Sequence, residues 1–230
     1  DMGPQHISDA IKQVADTHKA RFEEIVGDDL LTNNYQSIYT VGRGAAPGYE
    51  PRLCMLEWGD DSHPTVSLVG KGVSFDTGGL DIKTASGMLE MKKDMGGAAH
   101  ALALSRLIMS HNLPVHLRLY IPTVVNAIGS RAYKPGDIIQ SRAGKTIEVT
   151  NTDAEGRLIL CDALAKACED KPELLIDFAT LTGAARIALG SDISCMFSTN
   201  DAIANAIMAI SHDIDDPIWQ MPLYKPYKRL

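Results

Sequence analysis

The 230-residue chain reads as an α/β fold, a sheet covered by helices on both faces. Three observations predict it. Strand-like and helix-like runs alternate along the chain. Two of the strand-like runs, residues 115–121 and 174–178, are short and mostly apolar, as buried strands are. Charged and small polar residues gather just after strand-like runs, where open α/β sheets place their chemistry.

In order, Ile7, Ala10, Ile11, Val14 and Ala15 mark one face of a helix over residues 4–20, with Pro4 suited to its first turn. Residues 22–26 form a short strand, and Asp28-Asp29-Leu30-Leu31 opens a second helix that fades near Tyr39. Residues 42–48 are a loop. They divide a helical segment, 1–48, from the main domain, 49–230. Residues 52–58 and 65–70 read as strands around the turn cluster Gly59-Asp60-Asp61-Ser62-His63-Pro64. Residues 71–93 have no clear period, and a long irregular stretch inside a domain is usually functional. A helix follows from Asp94 through Ile108, then the strand 115–121 and a loop over 122–134. Short strands are expected at 136–140 and 146–150, and a helix to about Cys168. The strand 174–178, a helix (184–189), a strand (195–198) and a helix (201–212) complete the pattern.

The composition, 45% hydrophobic and 22% charged, is that of a globular domain. A net charge of −7 argues against nucleic acid or an anionic membrane as the main partner and suits a cation. Cys54, Cys161, Cys168 and Cys195 form no Cys-x-x-Cys pair and read as buried thiols in a reducing, cytoplasmic compartment. No stretch reaches the ~18–20 apolar residues of a membrane span, and no signal peptide is visible. Both ends look cut, so the chain is expected to be one piece of a longer protein.

Three loops carry the chemistry: residues 69–83, with Lys71, Asp76 and Lys83; residues 91–97, with Asp94; and Asn151-Thr152-Asp153-Ala154-Glu155-Gly156-Arg157-Leu158. Each acid has an ordinary explanation, since Asp94 and Asp153 could cap helices and Asp76 could turn a glycine-rich corner. If the loops converge, Asp76, Asp94, Asp153 and Glu155 form a four-carboxylate cluster that cannot stay ionised without cations. Two divalent metals would solve that problem. Lys71, Lys83 and Arg157 suit a bound anion or a developing oxyanion. The Gly70-Lys71-Gly72 run lacks phosphate-loop spacing, no His-x-x-x-His pair occurs, and no serine or cysteine sits in a nucleophile elbow. His116 reads as a satisfied core histidine, and Met88, Met91 and Met95 as core or pocket lining.

The octapeptide 151–158 resembles the signature of the leucyl aminopeptidase family. Phe75-Asp76-Thr77-Gly78-Gly79 with Lys83, Asp94-Met95-Gly96-Gly97 and Ala179-Thr180-Leu181-Thr182-Gly183-Ala184 match that family in order. The likeness spans roughly residues 50–225 and is nearest the bacterial peptidase B branch. It implies a three-layer sandwich with a mixed, mostly parallel central sheet, here C-terminally incomplete. It further implies that Lys71, Asp76, Asp94 and Glu155 hold one metal, and Asp76, Asp153 and Glu155 a second, manganese or zinc. Lys83 and Arg157 match the family's catalytic pair, with a bicarbonate at Arg157. Met91, Asn151, Thr180, Leu181 and Gly183 match substrate-contact positions. The implied activity is release of N-terminal residues from peptides with a free N-terminus, by a homohexamer when full length. Two rival readings are a two-metal phosphate-ester hydrolase and a non-enzymatic DNA-binding role, the latter opposed by the charge of −7.

Overall fold

The structure, a computed structural model, describes residues 2–229. The chain divides into two compact units, residues 1–181 and 182–230.

The first unit opens with α1 (Pro4–His18), which buries Ile7, Ile11 and Ala15 at four-residue spacing and ends at Lys19 in a left-handed cap, φ 55°. Strand β1 (Arg21–Val26) follows, then two short helices, α2 (Asp29–Thr32) and α3 (Gln36–Gly42). The single helix expected from Asp28 to Tyr39 is therefore broken, at Asn34, whose φ of 63° no helix accommodates. Next come β2 (Arg52–Trp58), β3 (Thr65–Gly70), β4 (Gly72–Asp76), α4 (Ala85–Met88) and a 3₁₀ turn (Met91–Met95). The stretch expected to be irregular thus contains a strand and two helical turns. Helix α5 (Gly96–Ser110), β5 (His116–Asn126), β6 (Ile138–Gln140), β7 (Thr146–Glu148), a second 3₁₀ turn (Thr152–Ala154), α6 (Glu155–Glu169) and β8 (Leu174–Phe178) complete the unit.

Six strands form one sheet in the order β1-β2-β5-β3-β8, with β4 also on β5. The β1–β2 and β2–β5 pairings are antiparallel; β3–β5, β4–β5 and β3–β8 are parallel. Within the segment 1–48 the strand expected at 22–26 is present as the edge strand β1, one residue longer at its start. Strand β5 is the spine: β2 lies along one side and β3, then β4, along the other. It continues to Asn126, past the expected loop start at Pro122. That proline lies between the last β3 partner, Tyr120, and the first β4 partner, Thr123, where a missing N–H is tolerated.

Alternate residues of the strands feed two cores. Leu53, Val69, Val73, Tyr120 and Val124 meet α2, α3 and α6 through Leu30, Ile38, Val41, Ile159 and Ala163. Cys54, Leu56, Leu68, Leu117, Leu119 and Ile121 meet α1 and α5 through Ile7, Ile11, Ala98 and Ala101. This is the expected three-layer sandwich with a mixed, mostly parallel sheet.

The second unit holds α7 (Ala184–Leu189), β9 (Ser194–Met196), α8 (Asp201–Asp213), β10 (Ile218–Gln220) and a 3₁₀ turn (Lys225–Arg229). Strands β9 and β10 pair in parallel. Strand β10 lies between Pro217 and Pro222, where no strand was expected. Among the described residues no helix is long and apolar enough to cross a membrane.

Candidate metal centre

Strands β3 and β8 part company at Lys71. The pairing ends at Gly70 with Phe178, and the Lys71 amide donates one last bond, 2.9 Å, to the Phe178 carbonyl. Strand β4 runs on alone beside β5, and the 3₁₀ turn Met91–Met95 packs on it. The carboxyl ends of the parallel strands here bring the three charged loops together, as sheets of this class do at a point where strand neighbours change.

Lys71 sits in that gap, 2% exposed. Its Nζ lies 2.9 Å from Asp94 Oδ1 and 2.8 Å from Glu155 Oε1, and donates to the Thr180 carbonyl at 3.0 Å. Gly156 makes room for it: a Cβ there would meet Lys71 Cε at 2.6 Å. Asp76 closes β4, 3% exposed. Its Oδ1 accepts from Gly78 N at 2.9 Å and Asn126 Nδ2 at 2.8 Å. Its Oδ2 faces Lys83 Nζ at 3.0 Å. Asp76 therefore does turn the glycine-rich corner, with one oxygen, and leaves the other to the cluster. Lys83 Nζ also lies 2.5 Å from Asp153 Oδ1.

The two proposed caps do not cap. Asn151, not Asp153, takes the N-cap of its turn, its Oδ1 accepting from Asp153 N at 2.8 Å. Asp94 lies within a 3₁₀ turn, its Oδ1 accepting from Thr180 Oγ1 at 2.8 Å while Oδ2 is buried without a partner among the described residues. Asp76, Asp153 and Glu155 offer oxygens all within 4.8 Å of one another. The convergence that local sequence could not establish is thus present in the structure.

Electrostatics follow from this crowding. Burial pushes Glu155 up to about 8; Lys71 pulls it down, but Asp76 and Asp94 add to the rise. Burial also raises Asp94, against Lys71 and Thr180. Burial alone would lower Lys71, but Glu155 and Asp94 outweigh it and its pKa is raised; Lys83 is raised likewise by Asp153 and Asp76. Four acids thus share two ammonium groups, and a carboxylate oxygen is left unbonded. That donor set, mostly hard oxygen, fits divalent cations.

The other expected positions lie nearby or apart. Met91 starts the 3₁₀ turn and is half-buried; Arg157, on the first turn of α6, is exposed and makes no ion pair among the described residues. Leu181 is 45% exposed. Gly183 lies in the second unit, immediately before α7. Among the cysteines, Cys54 is buried but Cys168 is exposed, on the outer face of α6, which corrects the reading of all four as buried. His116 is indeed a satisfied core histidine, with Nε2 2.9 Å from Glu57 Oε1.

Sequence reasoning missed the residues beneath the cluster. Asn126, fully buried, donates to Asp76 and to the Thr152 carbonyl at 3.0 Å. Tyr133 Oη donates to the same carbonyl at 2.6 Å. A lone polar residue ending an apolar strand was the available signal for Asn126.

The chain matches, over residues 1–230, the family model described as cytosol aminopeptidase family, catalytic domain. It is 43% identical over 230 residues to a probable cytosol aminopeptidase of Xanthomonas axonopodis pv. citri, covering 99% of this chain and 46% of that protein. A crystal structure of a cytosol aminopeptidase from Coxiella burnetii superposes with a TM-score of 0.95 at 56% identity, covering 100% of this chain and 50% of that one. A leucyl aminopeptidase from Trypanosoma brucei, in complex with bestatin, gives 0.93 at 34% identity, covering 99% of this chain and 44% of that one. The chain spans about half the length of these relatives. Residues 1–230 belong to the cytosol aminopeptidase family, within its catalytic domain.

Proposed function

We propose that the protein is a two-metal aminopeptidase that removes N-terminal residues from peptides. The observation that carries this is the convergence of Asp76, Asp94, Asp153 and Glu155, three of them within 4.8 Å of one another, on the buried Lys71 and the partly exposed Lys83. Lys71, Asp76, Asp94 and Glu155 would hold one ion, manganese or zinc, and Asp76, Asp153 and Glu155 the other. Bound there, the ions would supply a nucleophilic hydroxide at neutral pH and an anchor for the substrate's free α-amine.

The protein groups do the rest. Lys83, now shared between Asp76 and Asp153, has an ammonium 15% exposed on a long stem, and with those carboxylates engaged as ligands it would be free to donate to the oxyanion that develops on the scissile carbonyl. Arg157, exposed beside the cluster, would hold a bicarbonate to move the proton to the leaving amine. Met91, Asn151, Thr180 and Leu181 would line the path of the peptide. Residues 49–230 would form the catalytic part, with 1–48 leading into it, in a cytoplasmic homohexamer when full length.

The test is a substrate panel on the full-length protein with Mn2+. Aminoacyl amides should be cleaved, their N-acetylated forms and phosphate esters should not. Bestatin, bound by the trypanosomal relative, is the first inhibitor to try. No cleavage of any aminoacyl amide would overturn the proposal.

A further inference from the structure

Loop 77–83 carries Lys83 but has little to hold its tip. Leu80 is 43% and Ile82 58% exposed, so apolar burial does not anchor it. Its base is closed by Lys83 N donating to the Thr77 carbonyl at 3.0 Å, and Thr77 Oγ1 donates to the Asn126 carbonyl at 2.7 Å. Between base and tip Gly78 takes φ 87°, where a Cβ would meet the Asp81 carbonyl at 2.5 Å. The tip itself is tied down through Thr152, the fully buried residue next to Asp153.

Every polar atom of Thr152 is used. Its amide donates to Asp81 Oδ2 at 2.7 Å, and its Oγ1 accepts from Asp81 N at 2.8 Å and donates to the Gly78 carbonyl at 2.6 Å. Its carbonyl accepts from Asn126 and Tyr133. One side of this residue is thus fixed to the end of the spine strand, and the other holds the loop. We infer that Thr152 and Asp81 form a clasp that holds loop 77–83, and with it the stem of Lys83, beside the cluster, making both of them positioning residues for the site. The inference rests on the function proposed above for what the clasp accomplishes, but not for whether it exists. Outer hydrogen bonds of this kind typically hold metal affinity or turnover by about 10–100-fold.

The experiment uses full-length protein with Thr152→Val, Thr152→Ser and Asp81→Ala. Amide hydrogen exchange is read first, without metal or substrate. The valine and alanine variants should exchange the amides of residues 78–83 at least ~10-fold faster, and serine should match wild type. With Mn2+, the same two variants should lose ~10–100-fold in kcat with KM changed less than ~3-fold, and the double variant should be no worse than either single one. Serine should restore kcat to within ~3-fold. Unchanged exchange in Thr152→Val overturns the clasp, as does a serine variant as impaired as valine, since that would point to methyl packing. If wild type neither binds Mn2+ nor turns over, the function proposal falls while the exchange result still decides the clasp.

Discussion

Gly156→Ala tests whether the Lys71 ammonium must stand where it does. The new Cβ would lie 2.6 Å from Lys71 Cε, 2.8 Å from Nζ and 2.9 Å from Cδ, whereas ordinary contacts begin at 3.4 Å. Lys71 must therefore retreat by about 0.8 Å or more, and it is enclosed. Its three partners sit at 2.8, 2.9 and 3.0 Å, so such a retreat carries the nitrogen out of hydrogen-bond range of at least one. A misplacement near 1 Å at a site of this kind costs roughly 100-fold in turnover. The fold should suffer far less. Overpacking costs about 1–3 kcal/mol, and alanine returns up to about 1 kcal/mol of helix propensity. The assay pairs calorimetric Mn2+ titration and aminoacyl-amide turnover with a urea melt, in wild type, Gly156→Ala, Lys71→Met and the double variant. The alanine change should cost almost nothing further once Lys71 is methionine, because both act on one nitrogen. Wild-type metal affinity and kcat in Gly156→Ala would refute the reasoning.

Gly97→Ala should behave in the opposite way: its Cβ would meet the Phe178 carbonyl oxygen at 2.1 Å, a clash between backbones, so stability should fall by about 3 kcal/mol or more in a urea melt. The pH dependence of the metal-free protein should carry the mark of Glu155. Its folded pKa, about 8, lies above the ordinary 4.5, so the native state binds the extra proton and stability falls as pH rises across that window. Mn2+ affinity should rise over the same window as that proton leaves, and Glu155→Gln should flatten the stability profile; a wild-type profile that climbs with pH would contradict this. Among the thiols, Cys168 should react with an alkylating reagent in the native protein, while Cys54, raised to about 12 by burial, should react only on unfolding, as peptide mapping would report.

The parts legible in the sequence were those whose signal is local. Helix α1 shows its buried face in Ile7, Ile11 and Ala15, and β8 and α7 match their apolar runs residue for residue. The acids of the site were legible as acids, but local chemistry offers Asp153 and Asp94 a helix cap as readily as a metal. What separates the two is where the side chain points, and that is decided by Asn151 taking the cap and by Thr180, 86 residues from Asp94, reaching its carboxylate. Asn126 and Tyr133 were hidden for the same reason, since their partner, the Thr152 carbonyl, lies on another element. The break of the second helix falls at Asn34, a residue type that tolerates the left-handed conformation, whereas the passage of β5 through Pro122 is a choice made by the sheet against local propensity.

The position of β5 in the sheet also sets the order of assembly during synthesis. Strands β2, β3 and β4 all precede it in the chain and share it as their common partner. Until residue 126 has emerged, only the β1–β2 pair can form, and β3 and β4 have no edge to join. Glu155 and Thr180 arrive later still, so the four acids lie dispersed along the nascent chain while the sheet is being built. The repulsion they would feel is deferred to the last stage of folding. Non-local pairing of this kind makes for slow folding, with β3 and β4 the strands exposed for longest to wrong partners.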